Sequence, residues 1–172
     1  MQNFSLTPHF ELQEFTESAT ARSHGIANVP PFEAVENLKF LCVFTMEPLR
    51  EELGLPVIIS SGYRSKALNA LITHHAINSQ HVEGRAADFH IGEALGSSGS
   101  GSSSGLSHRE RLIKAFRLII TSDKIDYDQV ILYPTFIHVS YVSRDKNRHK
   151  ITKANGHGTY CALTRAQALS LI

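Results

Sequence analysis

Apolar and polar positions first settle into a helical period between Glu33 and Leu53, where Val35, Leu38, Cys42, Leu49 and Leu53 fall near one face. Pro48 lies inside this stretch and removes one backbone hydrogen bond, so the helix is expected to bend or break there. Gly54 followed by Pro56 stops it. Before it, "NVPPFE" reads as turn or extended chain, because each proline biases its predecessor away from helix. The first thirty residues show no sustained period beyond a short helix around "LQEFTES". After Pro56 the pattern changes. Val57 to Ile59 is a β-branched run that reads as a strand ending at Ser60-Ser61-Gly62, and a short helix is expected over Lys66 to Thr73. "AADFHI" is the next strand, and its alternation puts Asp88 and His90 on one face and Ala87, Phe89 and Ile91 on the other.

The second half repeats this mixture. Ser107 with Glu110 forms a capping-box pattern that opens a helix whose stripe is Leu112, Phe116 and Ile119. "DQVILY" and "FIHVSYV", separated by Pro134-Thr135, predict an antiparallel hairpin. In its second strand Ile137, Val139 and Tyr141 share one face and Phe136, His138 and Ser140 the other. "GTYCAL" suits an edge strand, and Thr164 with Gln167 caps a short last helix. Helices mixed with a small, mostly antiparallel sheet place the chain in the α+β class. Residues 96–105 contain only glycine and serine, a composition that cannot bury apolar surface. This segment resembles an inserted linker or a natural low-complexity loop. It is not read as a boundary, so residues 1–172 are expected to form a single domain.

Composition narrows the function. The formal net charge is +1, which gives no global reason to expect nucleic acid or membrane as a partner. The basic run "RDKNRHK", Arg144 to Lys150, lacks the interleaved aromatics of a base-stacking surface and reads as a solvated hairpin. His74 and His75 read as an exposed helix end. Cys42 lies in an apolar helical stretch and suits a buried thiol. With Cys161 it makes no Cys-x-x-Cys pair, so a thiolate zinc site or a redox pair is not expected. The N-terminus lacks the basic start and apolar run of a signal peptide. No apolar run approaches membrane-spanning length. Synthesis in the cytoplasm without an export signal is the expectation.

Ten histidines are many for 172 residues, and their placement carries the chemistry. In "SQHVEGRAADFH", His81 sits at a loop entry, Gly84 allows the chain to turn, and Asp88 lies on the strand that follows. His138 lies on another strand, on the face opposite the apolar set. If the two strands are sheet neighbours, two imidazoles and a carboxylate converge, a donor set that suits Zn²⁺ with a fourth position left for water. A strand histidine also commonly serves as a hydrogen-bonded structural residue. His90, on the Asp88 face, is either an outer partner of the site or a nearby polar group.

"SSGYRSKALNALI", "SQHVEGRAADFH" and "FIHVSY", in this order, resemble the zinc D-alanyl-D-alanine carboxypeptidase and murein endopeptidase family, which shares its core fold with the zinc domain of hedgehog proteins. The family pattern Ser-x-His-x-x-Gly-x-Ala-x-Asp, with a later strand-borne His, reads here as Ser79, His81, Gly84, Ala86, Asp88 and His138. The likeness runs from about Leu6 to Lys153, with "NRHKIT" as the matching tail. It implies that His81, Asp88 and His138 bind zinc and that Arg64 of "GYRS" binds substrate or steadies the developing oxyanion. Ser79 and Gln80 shape the loop or touch substrate, and Tyr63 lines the cleft or fills core. Many members carry an acid shortly before the second zinc histidine as general base. Here Tyr133, Pro134, Thr135, Phe136 and Ile137 precede His138, so the base falls to Asp128 on the preceding strand, with Asp126 and Glu83 as weaker candidates. The implied activity is zinc-dependent hydrolysis of peptidoglycan stem or cross-link peptides at the bacterial cell wall, with a phage-borne lysis or entry protein as the context. The alternative is a zinc-stabilised module that grips cell-wall peptide or a protein partner without cleaving it.

Overall fold

The computed structural model of the chain describes residues 3–72, 78–93, 105–155 and 157–171. The N-terminal stretch is more ordered than its pattern suggests. β1 (Ser5–Thr7) and β2 (Phe10–Glu11) form a two-stranded antiparallel sheet, followed by α1 (Leu12–Thr16) and α2 (Ala19–Ser23). These elements are too short to show a period. They are held by burial of Leu6, Phe10, Leu12 and Phe15 in the core.

The long helical stretch divides into α3 (Phe32–Leu41), a π-helical turn (Cys42–Met46) and α4 (Glu47–Leu53). The cause is Pro48. Without an N–H it cannot donate to the carbonyl of Phe44 four residues back. That carbonyl instead accepts the amide of Asp126 at 2.9 Å. The wider turn is the local adjustment that lets the helix continue, a known use of π-bulges. Gly54, at φ +66°, then caps α4 in the left-handed conformation.

Six strands build the main sheet in the order β3–β4–β6–β5–β7–β8. They are β3 (Val57–Ser61), β4 (Ala86–Ile91), β5 (Gln129–Leu132), β6 (Ile137–Ser140), β7 (Lys150–Ala154) and β8 (Tyr160–Ala162). The helices that complete the chain are α5 (Lys66–Leu71), α6 (His108–Thr121) and α7 (Arg165–Leu169). The expected hairpin is β5–β6, and "GTYCAL" supplies the edge strand β8. Both expected capping boxes are formed, Ser107 with Glu110 and Thr164 with Gln167. β7 has no counterpart in the hydropathy pattern. It falls where a basic hairpin and tail are expected, and pairs with β5 in the one parallel contact of this sheet among the described residues.

The sheet has two unlike faces. Ala87, Phe89, Ile91, Ile137 and Val139 join Leu38, Leu41, Leu49, Leu112, Phe116 and Ile119 of the helices in one apolar cluster. The opposite face carries Asp88 and His138. Cys42 is buried and Cys161 exposed, and both are free thiols. No helix among the described residues is long and apolar enough to cross a membrane. Thr73, the His74–His75 pair and 96–104 of the Gly/Ser segment lie outside the described residues.

Candidate metal centre

Strand register makes the first half of the site. Asp88 on β4 is the direct antiparallel partner of His138 on β6, so both side chains leave the sheet on the same face. His138 Nδ1 lies 2.7 Å from Asp88 Oδ1. His81 arrives from the turn before β4. That turn depends on Gly84, whose φ is +70° and where a Cβ would lie 2.3 Å from the Ala34 carbonyl oxygen. The His81 ring is fixed from behind, because its Nδ1 donates to the Gly62 carbonyl at 2.7 Å. Nε2 therefore keeps its lone pair, 3.3 Å from Asp88 Oδ1. Gly62 is itself pressed against Phe15, where a Cβ would come within 2.5 Å of a carbonyl oxygen. Neither glycine has room for a larger residue.

The three donors offer ligand atoms that all lie within 4.8 Å of one another. Arg64 holds the outer side of the carboxylate, its Nη2 donating to Asp88 Oδ2 at 2.7 Å while its Nε donates to Ser61 Oγ at 2.9 Å. Burial disfavours charge on Asp88, yet its imidazole neighbours, with the His138 hydrogen bond, prevail and hold its carboxyl far below the usual range. Burial also pushes the His81 pKa down, against the pull of Asp88. An ionised carboxylate beside a neutral, tautomer-fixed imidazole is the protonation state a metal ligand set requires. Two nitrogens and one oxygen converging on a point, each oriented by an outer partner or by register, fit a catalytic zinc site with an open fourth position.

The sequence pattern of the Peptidase M15 family matches residues 8–99, just over half of the chain. The chain belongs to the Peptidase M15 family. It is a zinc-dependent metallopeptidase, a hydrolase of peptide bonds. No curated protein matches the chain. The region matched to Peptidase M15 contains His81 and Asp88. The third donor, His138, lies outside it and is delivered by the β4–β6 pairing.

The other sequence candidates occupy distinct places around this M15 centre. Asp128 is fully buried just before β5. Its carboxylate accepts from Arg148 Nε at 2.9 Å, Arg148 Nη2 at 2.5 Å, the Arg148 amide at 3.0 Å, Gln80 Nε2 at 3.0 Å and Ser140 Oγ at 3.3 Å. Burial opposes its charge, but the Arg148 bonds and Gln80 overcome it and bring the pKa down to about 2. Gln80 is thus turned to Asp128, and with Ser79, Asp128 and His138 it lines a cavity of about 490 Å³. Glu83 pairs with Arg85 at 3.0 Å on the rim. Asp126 pairs with His149 at 3.0 Å. Tyr63 is 7% exposed and belongs to the core cluster. His90 stands on the Asp88 face with its ring 6.4 Å from that of His108, outside the triad. Tyr133 enters the reading only as a non-acidic position before His138, yet it lies on the face of the metal donors. The hairpin register could have found it, since Ile131 opposes His138 and the residue two further on returns to the same face.

Proposed function

We propose that this zinc peptidase cleaves peptide bonds in peptidoglycan stem or cross-link peptides, acting at the bacterial cell wall, with His81 Nε2, Asp88 Oδ1 and His138 Nδ1 as the zinc ligands. The observation that carries the reading is the convergence of those atoms on one open sheet face. When bound, zinc supplies a Lewis acid that polarises the scissile carbonyl and makes water a nucleophile at neutral pH. The chain's own groups do the rest. Gly62 O holds the proton on His81 Nδ1, which keeps Nε2 available. Arg64 anchors Asp88 Oδ2 and so aims Oδ1 at the imidazoles. Asp128 has its acceptor sites taken by protein donors, and we assign it to positioning rather than to proton transfer: through Gln80 it ties the turn that carries His81 to β5 and the approach to β7. The peptidoglycan assignment is supported by the spaced motifs around Arg64, His81 and His138. It is also supported by the cationic Lys146 in the cavity beside His138, which suits the carboxylates of stem peptides.

The test is digestion of purified peptidoglycan and defined stem peptides by the zinc-loaded protein, read by mass spectrometry. New amines should appear and should vanish in His81→Ala. Release of terminal D-alanine identifies a carboxypeptidase, and release of larger fragments an endopeptidase. Cleavage of unrelated peptides with peptidoglycan left intact would overturn the substrate assignment.

A further inference from the structure

A phenol pair stands on the sheet face that carries the metal donors. The β5–β6 ladder extends one step past the strands, with the Tyr133 amide donating to the Phe136 carbonyl at 3.0 Å. Ile131 pairs with both His138 and Thr152, and Ala154, two residues beyond Thr152, pairs with Tyr160. By alternation, Tyr133 and Tyr160 therefore stand on the His138 side of the sheet. The Tyr133 ring stacks on Phe136 at 4.2 Å and 12°, and Tyr160 meets it edge-on at 6.1 Å and 89°. Held on two sides, the ring has little freedom to turn.

Its hydroxyl lies 3.1 Å from the Tyr160 hydroxyl. Two phenols carry two hydrogens, and their mutual bond uses one. With Tyr160 as the donor of that bond, the Tyr133 hydrogen is left for a third group. Asp88 and Arg64 both act on the Tyr133 phenol electrostatically, so it lies within the field of the triad. Burial first, with the Asp88 charge adding to it, raises its pKa. The hydroxyl therefore stays protonated, fit to donate a hydrogen bond and unfit to serve as a base.

We propose that Tyr133 is a catalytic residue whose hydroxyl donates a hydrogen bond to the scissile carbonyl oxygen as negative charge develops there, and that Tyr160 is the positioning residue that orients it. Water adds to the carbonyl carbon and the π pair moves onto oxygen, where the Tyr133 O–H meets it without giving up its proton. Collapse re-forms the carbonyl and breaks the C–N bond. The nitrogen leaves as the amine with the proton lost by the water. A donor placed for the charged oxygen rather than for the ground-state carbonyl acts on the chemical step.

The inference rests on the triad as the reaction centre but not on peptidoglycan as the substrate, so the assay uses whichever peptide the zinc-loaded wild type cleaves, from peptidoglycan or from a mixed peptide library. Tyr133→Phe keeps the ring and its stacking and deletes only the hydroxyl. It should lower kcat about 10²-fold with KM, zinc content and melting temperature unchanged. In calorimetry it should weaken a phosphinic pseudopeptide of that sequence, whose tetrahedral anion mimics the charged oxygen, about tenfold or more. Tyr160→Phe should show the same pattern at smaller size. A kcat and a phosphinate affinity both within twofold of wild type would overturn the proposal. So would a rate loss matched by loss of zinc or of melting temperature. Wild-type activity confined to peptides unrelated to peptidoglycan would refute the substrate assignment and leave the Tyr133 comparison intact.

Discussion

Asp88 and Asp128 are both carboxylates withdrawn from water, and they keep unlike company. Around Asp128 every neighbour is a donor: the guanidinium and amide of Arg148, the Gln80 amide and the Ser140 hydroxyl. Its lone pairs are consumed and its charge is neutralised by a fixed fork. Around Asp88 only one oxygen is treated in this way, by Arg64. The other oxygen faces His81 Nε2 and His138 Nδ1. His81 Nε2 carries no hydrogen once Nδ1 is bound to Gly62. That oxygen accepts from His138 Nδ1 at 2.7 Å, so it meets one protein hydrogen and one bare nitrogen, and a cation would take the place of that hydrogen. Burial alone therefore does not mark a reactive carboxylate. The hydrogen count of its neighbours separates an aspartate spent on protein donors from one with an oxygen left for a cation.

This contrast can be tested at decreasing effect size. His81→Ala should give the largest effect. Metal analysis after dialysis should show no retained zinc, and peptide cleavage should fall to background while the fold, read by circular dichroism, persists. Arg64→Ala should spare the three ligands but release the outer oxygen of Asp88, weakening zinc affinity about 10–100-fold in a competitive chelator titration. Asp128→Asn should do the reverse, leaving zinc content unchanged and costing about 2 kcal/mol in denaturant unfolding. Loss of turnover by 10²-fold or more in Asp128→Asn, at wild-type zinc content and KM, would instead make that carboxylate a base. The pH dependence has a definite sign. The folded Asp128 titrates at about 2, below the ordinary value near 4. Its stabilisation is therefore full above about pH 4 and is lost as pH falls toward 2, so the stability gap between wild type and Asp128→Asn should close over that interval. Ser107→Ala, at the capping box of α6 and bonded to neither aspartate, should cost about 1 kcal/mol and leave both zinc and rate untouched.

The legibility of these regions differed for physical reasons. Asp88 and His138 could be placed on one face because β4 and β6 alternate cleanly, with Ala87, Phe89, Ile137 and Val139 fully buried on the other. The capping boxes at Ser107 and Thr164 are local, so sequence spacing sufficed. β7 escaped notice because its identity lies in a parallel partner 21 residues away, Gln129 against Lys150, and its leading residues are basic. The engagement of Asp128 escaped for the same reason, since Arg148 stays exposed and reads as a solvated charge until the approach to β7 lays its guanidinium against Asp128. The π-turn was signalled only by Pro48, and its form depends on the Asp126 amide reaching Phe44. Tyr133 was visible in the alternation but was judged for acidity rather than for direction.

The pairing of Asp88 with His138 has a consequence for engineering and for descent. Because Asp88 and His138 share one rung of a ladder, their spacing is set by the β4–β6 pairing and not by the length of the connection between the two strands. Doubling the length of such a connection costs only about 0.6 kcal/mol of closure entropy. A one-residue shift of the β4–β6 pairing, by contrast, would turn one of the two side chains to the other face and separate the donors.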